Sequence, residues 1–153
     1  VCIFFENRLM RGNRTTKINA EGFNAFRSYN CPSLAHAGIH IKYERHLIRR
    51  PDPTRPFQPH FLMDNHVIIL TLFPGIRKEY VESVCRLNGV RGIILKTFRY
   101  GTGLQLLQAG VLNGHDSTVE GMVTKMMFLL GHDYKWEKIT RLMNESIAGE
   151  ITV

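Results

Sequence analysis

Five apolar residues open the chain, V-C-I-F-F, and most of them are β-branched or aromatic. An unbroken run of this kind predicts a strand over Val1 to Phe5 buried on both faces, as in a parallel sheet. Residues 6–17 turn polar and contain a glycine, which predicts a loop. Residues 20–32 are irregular, and Pro32 disfavours helix at Cys31. H-A-G-I-H-I-K-Y (36–43) alternates after Gly38 and predicts a half-exposed strand. The stretch R-R-P-D-P-T-R-P-F-Q-P-H then holds four of the six prolines. That composition predicts an extended, semi-rigid linker.

Beyond the linker, H-V-I-I-L-T-L-F predicts a buried strand closed by the turn Pro74-Gly75. Ile76, Tyr80, Val84 and Leu87 recur at helical spacing over 76–88, and Gly89 is placed to end that helix. G-I-I-L-K-T-F (92–98) predicts the next strand. Strand, helix, strand in this order is a βαβ unit with a parallel pair. The last third predicts helices: a short one over 104–112, a longer one after Asp116, and another over 134–147. Ser117 and Glu120 have the spacing of a capping box. Val119, Met122, Val123, Met126, Met127 and Leu130 share one face, and Gly131 ends it. The methionines read as core filler. In the last helix the apolar positions are Trp136, Ile139, Leu142, Met143 and Ile147.

One connection is out of pattern. The strand at 92–98 runs through Arg99 and Tyr100 straight into the helical third. Only two clear strands then remain in this half, which make a poor independent sheet. Strand counting therefore points to a segment missing between about Thr97 and Tyr100.

Composition narrows the class. Of 153 residues, 44% are hydrophobic and 22% charged, as in globular proteins. No apolar run approaches the ~18–20 residues of a membrane span. No basic leader precedes the first apolar run, and the chain does not begin with methionine, so an upstream N-terminus is expected. Cys2, Cys31 and Cys85 have neither disulfide-framework nor metal spacing, which suits a reducing compartment, the cytoplasm. The seven histidines are dispersed and predict no zinc site. The net charge of +7 raises nucleic-acid binding. However, the cations are spread, with local densities at 8–17 and 42–55, and no RRM-type or recognition-helix pattern accompanies them.

The stretch R-G-N-R-T-T-K (Arg11 to Lys17) offers three readings: a phosphate cradle, a solvated loop, or a loop bearing a catalytic lysine. Arg11 and Arg14 are capable of bidentate phosphate contacts, and Gly12 permits close backbone approach. The spacing is nevertheless not that of a P-loop. In its setting, N-R-L-M-R-G-N-R-T-T-K followed by A-E-G-F-N-A-F, the motif resembles the type I, cytoplasmic L-asparaginases. Further pieces agree in order: P-S-L-A-H-A-G-I-H-I, L-F-P-G-I, V-R-G-I-I-L-K-T-F, Y-G-T-G, A-G-V-L-N-G-H-D-S-T-V-E-G-M-V-T-K-M-M-F-L-L-G and G-E-I-T. The resemblance covers nearly the whole chain as the C-terminal portion of such a protein.

Two departures accompany it. The family's glycine–glycine–threonine turn with the nucleophile, and its threonine–aspartate pair, have no match. The turn, helix and strand that follow the segment matching Lys96-Thr97-Phe98 are also absent, at the gap near Phe98-Tyr100 that strand counting located.

The resemblance implies an α/β fold: residues 1–45 end an N-terminal parallel-sheet domain of flavodoxin or Rossmann-like type, 46–65 are a linker, and 66–153 form a smaller C-terminal α/β domain. It implies hydrolysis of L-asparagine to L-aspartate and ammonia by a threonine nucleophile outside the chain. No metal or organic cofactor is implied, and the protein would be a homo-oligomer, dimer or tetramer. Lys17 falls on the family's catalytic lysine. Thr16 and Lys96 match positions of a substrate or effector site. The implied chemistry is physically coherent. Burial lowers a lysine pKa, and a neutral amine beside an aspartate and a hydroxyl accepts and returns a proton. Rival readings are the asparaginase-like subunit of a tRNA-dependent amidotransferase, a non-catalytic remnant that oligomerises or binds ligand, and plain nucleic-acid binding. Thr15 is a nucleophile on paper only. Asp116 is expected to serve the helix start by its charge or as a cap, and Glu150 has no expected chemical role.

Overall fold

A computed structural model describes residues 1–97 and 111–152. They group into two compact units. The first comprises 1–60, 116–121 and 146–152; the second comprises 61–97, 111–115 and 122–145. The expected helix at 104–112, and the apparent break near Phe98-Tyr100, lie on or next to residues outside the described ones.

In the first unit, β1 (Cys2–Phe5) and β2 (Arg8–Arg11) pair antiparallel, with Phe5 opposite Arg8. This corrects the expected parallel, doubly buried strand and the loop expected at 6–17. The cause is the two residues between the strands. Glu6 and Asn7 both adopt left-handed backbone, with φ of 47° and 59°. Two consecutive residues of that kind make the tight turn whose twist matches a hairpin. Only one face of β1 gains cover, and Phe4 remains 60% exposed.

A 3-10 turn follows at Gly12–Arg14, then β3 (Thr16–Lys17), which pairs antiparallel with β4 (Phe26–Arg27). The strand expected at 36–43 is instead a second hairpin, β5 (Ala35–Ala37) and β6 (Ile41–Tyr43). Gly38 begins its turn, so the apolar alternation belongs to two short strands. The sheet order is β1-β2-β5-β6. No regular element lies between Tyr43 and Val67, as the prolines there dictate.

In the second unit, β7 (Val67–Leu72), α1 (Lys78–Cys85) and β8 (Gly92–Thr97) form the expected βαβ unit, and β7 pairs parallel with β8. Burial is less than expected: Ile69 is half exposed and α1 buries no residue. Gly92 and Ile94 of β8 pack on α2 (Val119–Gly131). A Cβ at Gly92 would stand 3.0 Å from the Met126 side chain and 3.2 Å from Leu130, so the glycine sets that approach. Gly131 ends α2 against the backbone of Leu62, where a Cβ would meet atoms at 2.7 Å.

α3 (Trp136–Met143) closes the core. Ile94, Met122, Met126, Leu129, Leu130, Ile139 and Met143 form it, which bears out the methionines as core filler. Trp136 and Ile147, expected on the buried face of α3, are exposed; Ile147 lies beyond the helix. Buried Lys125 donates from Nζ to the carbonyls of Met143 and Glu145, capping the C-terminal end of α3. Asp64 accepts from the backbone N–H and ring of His66 and from Arg91. These contacts hold its carboxyl below the usual range, with the His66 hydrogen bonds as the main cause.

Candidate functional site

R-G-N-R-T-T-K is a clamp. Its side chains satisfy backbone carbonyls of the C-terminal segment one after another. Asn13 donates to the carbonyl of Ala148 at 3.0 Å, Arg11 to Gly149 at 3.0 Å, and Arg14 to Glu150 at 2.8 Å. Arg49 adds the carbonyl of Ile147 at 3.3 Å. Arg11 also reaches the carbonyl of Leu47 at 2.6 Å. Irregular backbone carries carbonyls that no ladder satisfies, and arginine offers five donors in a rigid fork.

Arg14 is the centre of this network and is 3% exposed. Its guanidinium grips Asp116 through both Nη atoms, at 2.8 and 2.6 Å, and reaches the carbonyl of Asn30 at 2.7 Å. Asp116 in turn accepts from the backbone N–H of Thr152 at 2.8 Å. The hydrogen bond to Arg14 drives the Asp116 carboxyl well below the ordinary carboxylate range. The same hydrogen bond raises Arg14. A buried guanidinium holds its charge only with such a partner. Asp116 is therefore a counter-ion, not the cap of α2.

The cap is Thr118, whose Oγ1 accepts from the N–H of Gly121 at 3.0 Å. Helix α2 thus starts one residue later than the expected capping box, and the Oγ of Ser117 is buried without a partner. Glu150 also gains a role: its carboxylate accepts from the N–H groups of Ile147 and Ala148, at 3.1 and 2.6 Å. It folds the C-terminal turn that the clamp grips.

Gly12 serves the same end. Its N–H donates to the carbonyl of Val1 at 3.1 Å, and a Cβ would stand 3.2 Å from that oxygen. The close approach expected for a phosphate is used by backbone.

Past this anchor the chain enters β3. Side chains alternate across a strand, and here Thr16 is half-buried while Lys17 is exposed. Thr16 donates from Oγ1 to Glu120 on the first turn of α2. Lys17 faces Phe26 across the β3–β4 ladder. Among the described residues none pairs with its ammonium group. Lys96 lies at the exposed end of β8, opposite Thr71. Thr16 and Lys17 are thus adjacent in one unit, and Lys96 belongs to the other. Sequence reasoning did not find the Asn30, Asp116 and Glu120 contacts. They join residues 16 to 104 positions apart, and no local spacing signals them. Among the described residues no three of His, Cys, Asp and Glu gather to hold a metal, and no helix is long and apolar enough to cross a membrane.

Residues 1–49 match the family described as Asparaginase, N-terminal. The chain is 33% identical to L-asparaginase 1 of Escherichia coli K12, over 99% of this chain and 56% of that protein. It is 28% identical to a 60 kDa lysophospholipase of Mus musculus, over all of this chain and 34% of that protein. The crystal structure of L-asparaginase I from Vibrio cholerae superposes with a TM-score of 0.87 at 29% identity, covering 100% of this chain and 57% of that one.

The fold is mixed α/β, and along nearly its whole length the chain is similar to L-asparaginases. It spans about half the length of the L-asparaginases it matches. The match to the Escherichia coli protein runs over 193 residues, 40 more than the chain contains. That relative therefore carries residues with no counterpart here.

Proposed function

We propose that this chain supplies the lysine of an L-asparagine amidohydrolase whose threonine nucleophile lies outside the 153 residues. The observation that carries the reading is the clamp itself. It fixes every cation and hydroxyl of the motif except Lys17, which β3 presents at the free end. The segment bearing the nucleophile is expected to cover Lys17 and exclude water from it. The threonine hydroxyl then attacks the carboxamide carbon. Lys17 takes the hydroxyl proton and returns it to the leaving nitrogen. The C–N bond breaks, ammonia departs, and water cleaves the resulting ester to give L-aspartate and the free hydroxyl. Thr16 and Lys96 are proposed to contact substrate or effector, and the assembly is proposed to be a homo-oligomer.

The test is ammonia release from L-asparagine and L-glutamine by the protein as it exists, with and without Lys17→Met. Release from asparagine without tRNA, reduced about 10²–10⁴-fold by Lys17→Met with the fold unchanged, supports the proposal. Activity retained within about twofold sinks the role of Lys17. Release only with an aminoacylated tRNA present transfers the reading to the amidotransferase subunit. No release under any condition leaves a non-catalytic ligand-binding chain.

A further inference from the structure

The clamp absorbs the first of the two cation-rich stretches and leaves the second unexplained. Residues 42–50 read K-Y-E-R-H-L-I-R-R, with four Lys or Arg and one acid. Within this stretch Tyr43, Arg45, Ile48 and Arg50 line an open cavity of about 280 Å³. The arginines of this unit divide sharply. Arg11, Arg14 and Arg49 are spent on carbonyls and on Asp116. Arg45 and Arg50 are exposed, and among the described residues neither donates a side-chain hydrogen bond or meets a carboxylate. The nearby acids are turned elsewhere: Glu44 faces His46, and Asp52 takes Thr54 and Arg55.

The backbone beneath the cavity is held from several sides. Glu44 donates its N–H to the carbonyl of Leu34 at 2.9 Å, and Leu47 donates to the carbonyl of Glu44 at 2.9 Å. The carbonyl of Leu47 is gripped by Arg11 at 2.6 Å, and neighbouring Arg49 is tied to Ile147. A site on fixed backbone loses less entropy on binding. Its walls differ in chemistry. Tyr43, 51% exposed, and Ile48, 37% exposed, present an aromatic ring and an aliphatic surface. The two guanidinium forks match the oxygens of a phosphate. The volume is near the lower end of ligand pockets, so it suits a small molecule.

We propose that Tyr43, Arg45, Ile48 and Arg50 form a binding site for a small phosphate-bearing ligand with a flat body, a nucleoside phosphate in the simplest case. The phosphate lies between Arg45 and Arg50, and the planar group rests on Tyr43 and Ile48. The site is separate from Lys17 and does not depend on asparagine hydrolysis.

Isothermal titration of the full chain with ADP, adenosine and inorganic pyrophosphate tests this, using Arg45→Gln, Arg50→Gln, Tyr43→Ala and a control, Arg8→Gln. Saturable one-to-one ADP binding is expected, with adenosine at least tenfold weaker. Each of the two arginine variants should lose about tenfold or more, the worth of a charge-assisted hydrogen bond. Tyr43→Ala should weaken ADP while leaving pyrophosphate unchanged. The site fails if ADP shows no saturable binding at millimolar concentration. It fails equally if Arg8→Gln weakens ADP as much as Arg45→Gln, because net charge is then the cause. Tighter binding of a single-stranded RNA oligomer than of ADP, collapsing with salt, assigns the stretch to nucleic acid instead.

Discussion

The two units of this chain solve the same problem by opposite means. The second buries a methionine- and leucine-rich cluster, and its Leu129 and Met143 are the largest fully buried side chains among the described residues. The first buries little that is apolar beyond Met10, Ala25, Leu34, Ala35 and Ile151, and places Arg14, Thr15 and Glu150 inside instead. Apolar packing is forgiving of exact geometry, because any well-filled volume serves. A polar interior is not, because each donor and acceptor must be met. The unit that must hold a loop in one conformation uses the unforgiving interior. In the other unit, Lys125 applies the same side-chain-to-carbonyl device at the end of α3.

The contrast breaks most easily at Arg14. Arg14→Met leaves Asp116 and the carbonyls of Asn30 and Glu150 without their donor. It is expected to cost about 3–5 kcal/mol, read by denaturant unfolding and by loss of amide protection at residues 8–17. Adding Asp116→Leu should restore much of that, since the uncompensated charge goes too; no recovery would mean the pair is not the source of the loss. Acid reaches the same contact without mutation. Asp116 has a lowered folded pKa, so its contribution is fully present above the ordinary aspartate value of 3.8 and is lost as pH falls below it toward the folded value. The Asp116→Asn protein should show a correspondingly flatter loss of stability between about pH 4 and pH 2.

Leu129→Ala tests the apolar side of the contrast, at about 3 kcal/mol, with amide protection at residues 8–17 retained. Lys125→Met should cost about 1–3 kcal/mol by stranding two carbonyls, seen as faster exchange at the end of α3; an unchanged rate would show that water replaces the ammonium. The smallest effect separates two adjacent hydroxyls. Thr118→Ala should cost about 1 kcal/mol, whereas Ser117→Ala should be neutral or stabilising because its buried Oγ has no partner. Equal effects would return the cap to Ser117.

Elements with a long uniform pattern were legible in the sequence. The βαβ order of β7, α1 and β8, the methionine face of α2 and its end at Gly131 follow from periods of two and 3.6, which are local properties. Short elements were not. The run V-C-I-F-F has one pattern whether it lies mid-sheet or on a hairpin edge, and the backbone at Glu6 and Asn7 decided between them. At the site, the family resemblance pointed to Lys17, Thr16 and Lys96, whereas only the fold showed β3 setting the side chains of Thr16 and Lys17 on opposite faces.

By itself, then, the sequence determined the resemblance to L-asparaginases, the parallel pair, the core-facing side of the long helix and the presence of a special loop. Only the tertiary structure decided what that loop does. Arginine and asparagine donors have no period, and their acceptors are backbone carbonyls, which every residue carries alike. Nothing in R-G-N-R names A-G-E as its partner more than 130 positions away; folding brings together a donor-rich loop and a turn whose carbonyls no ladder satisfies.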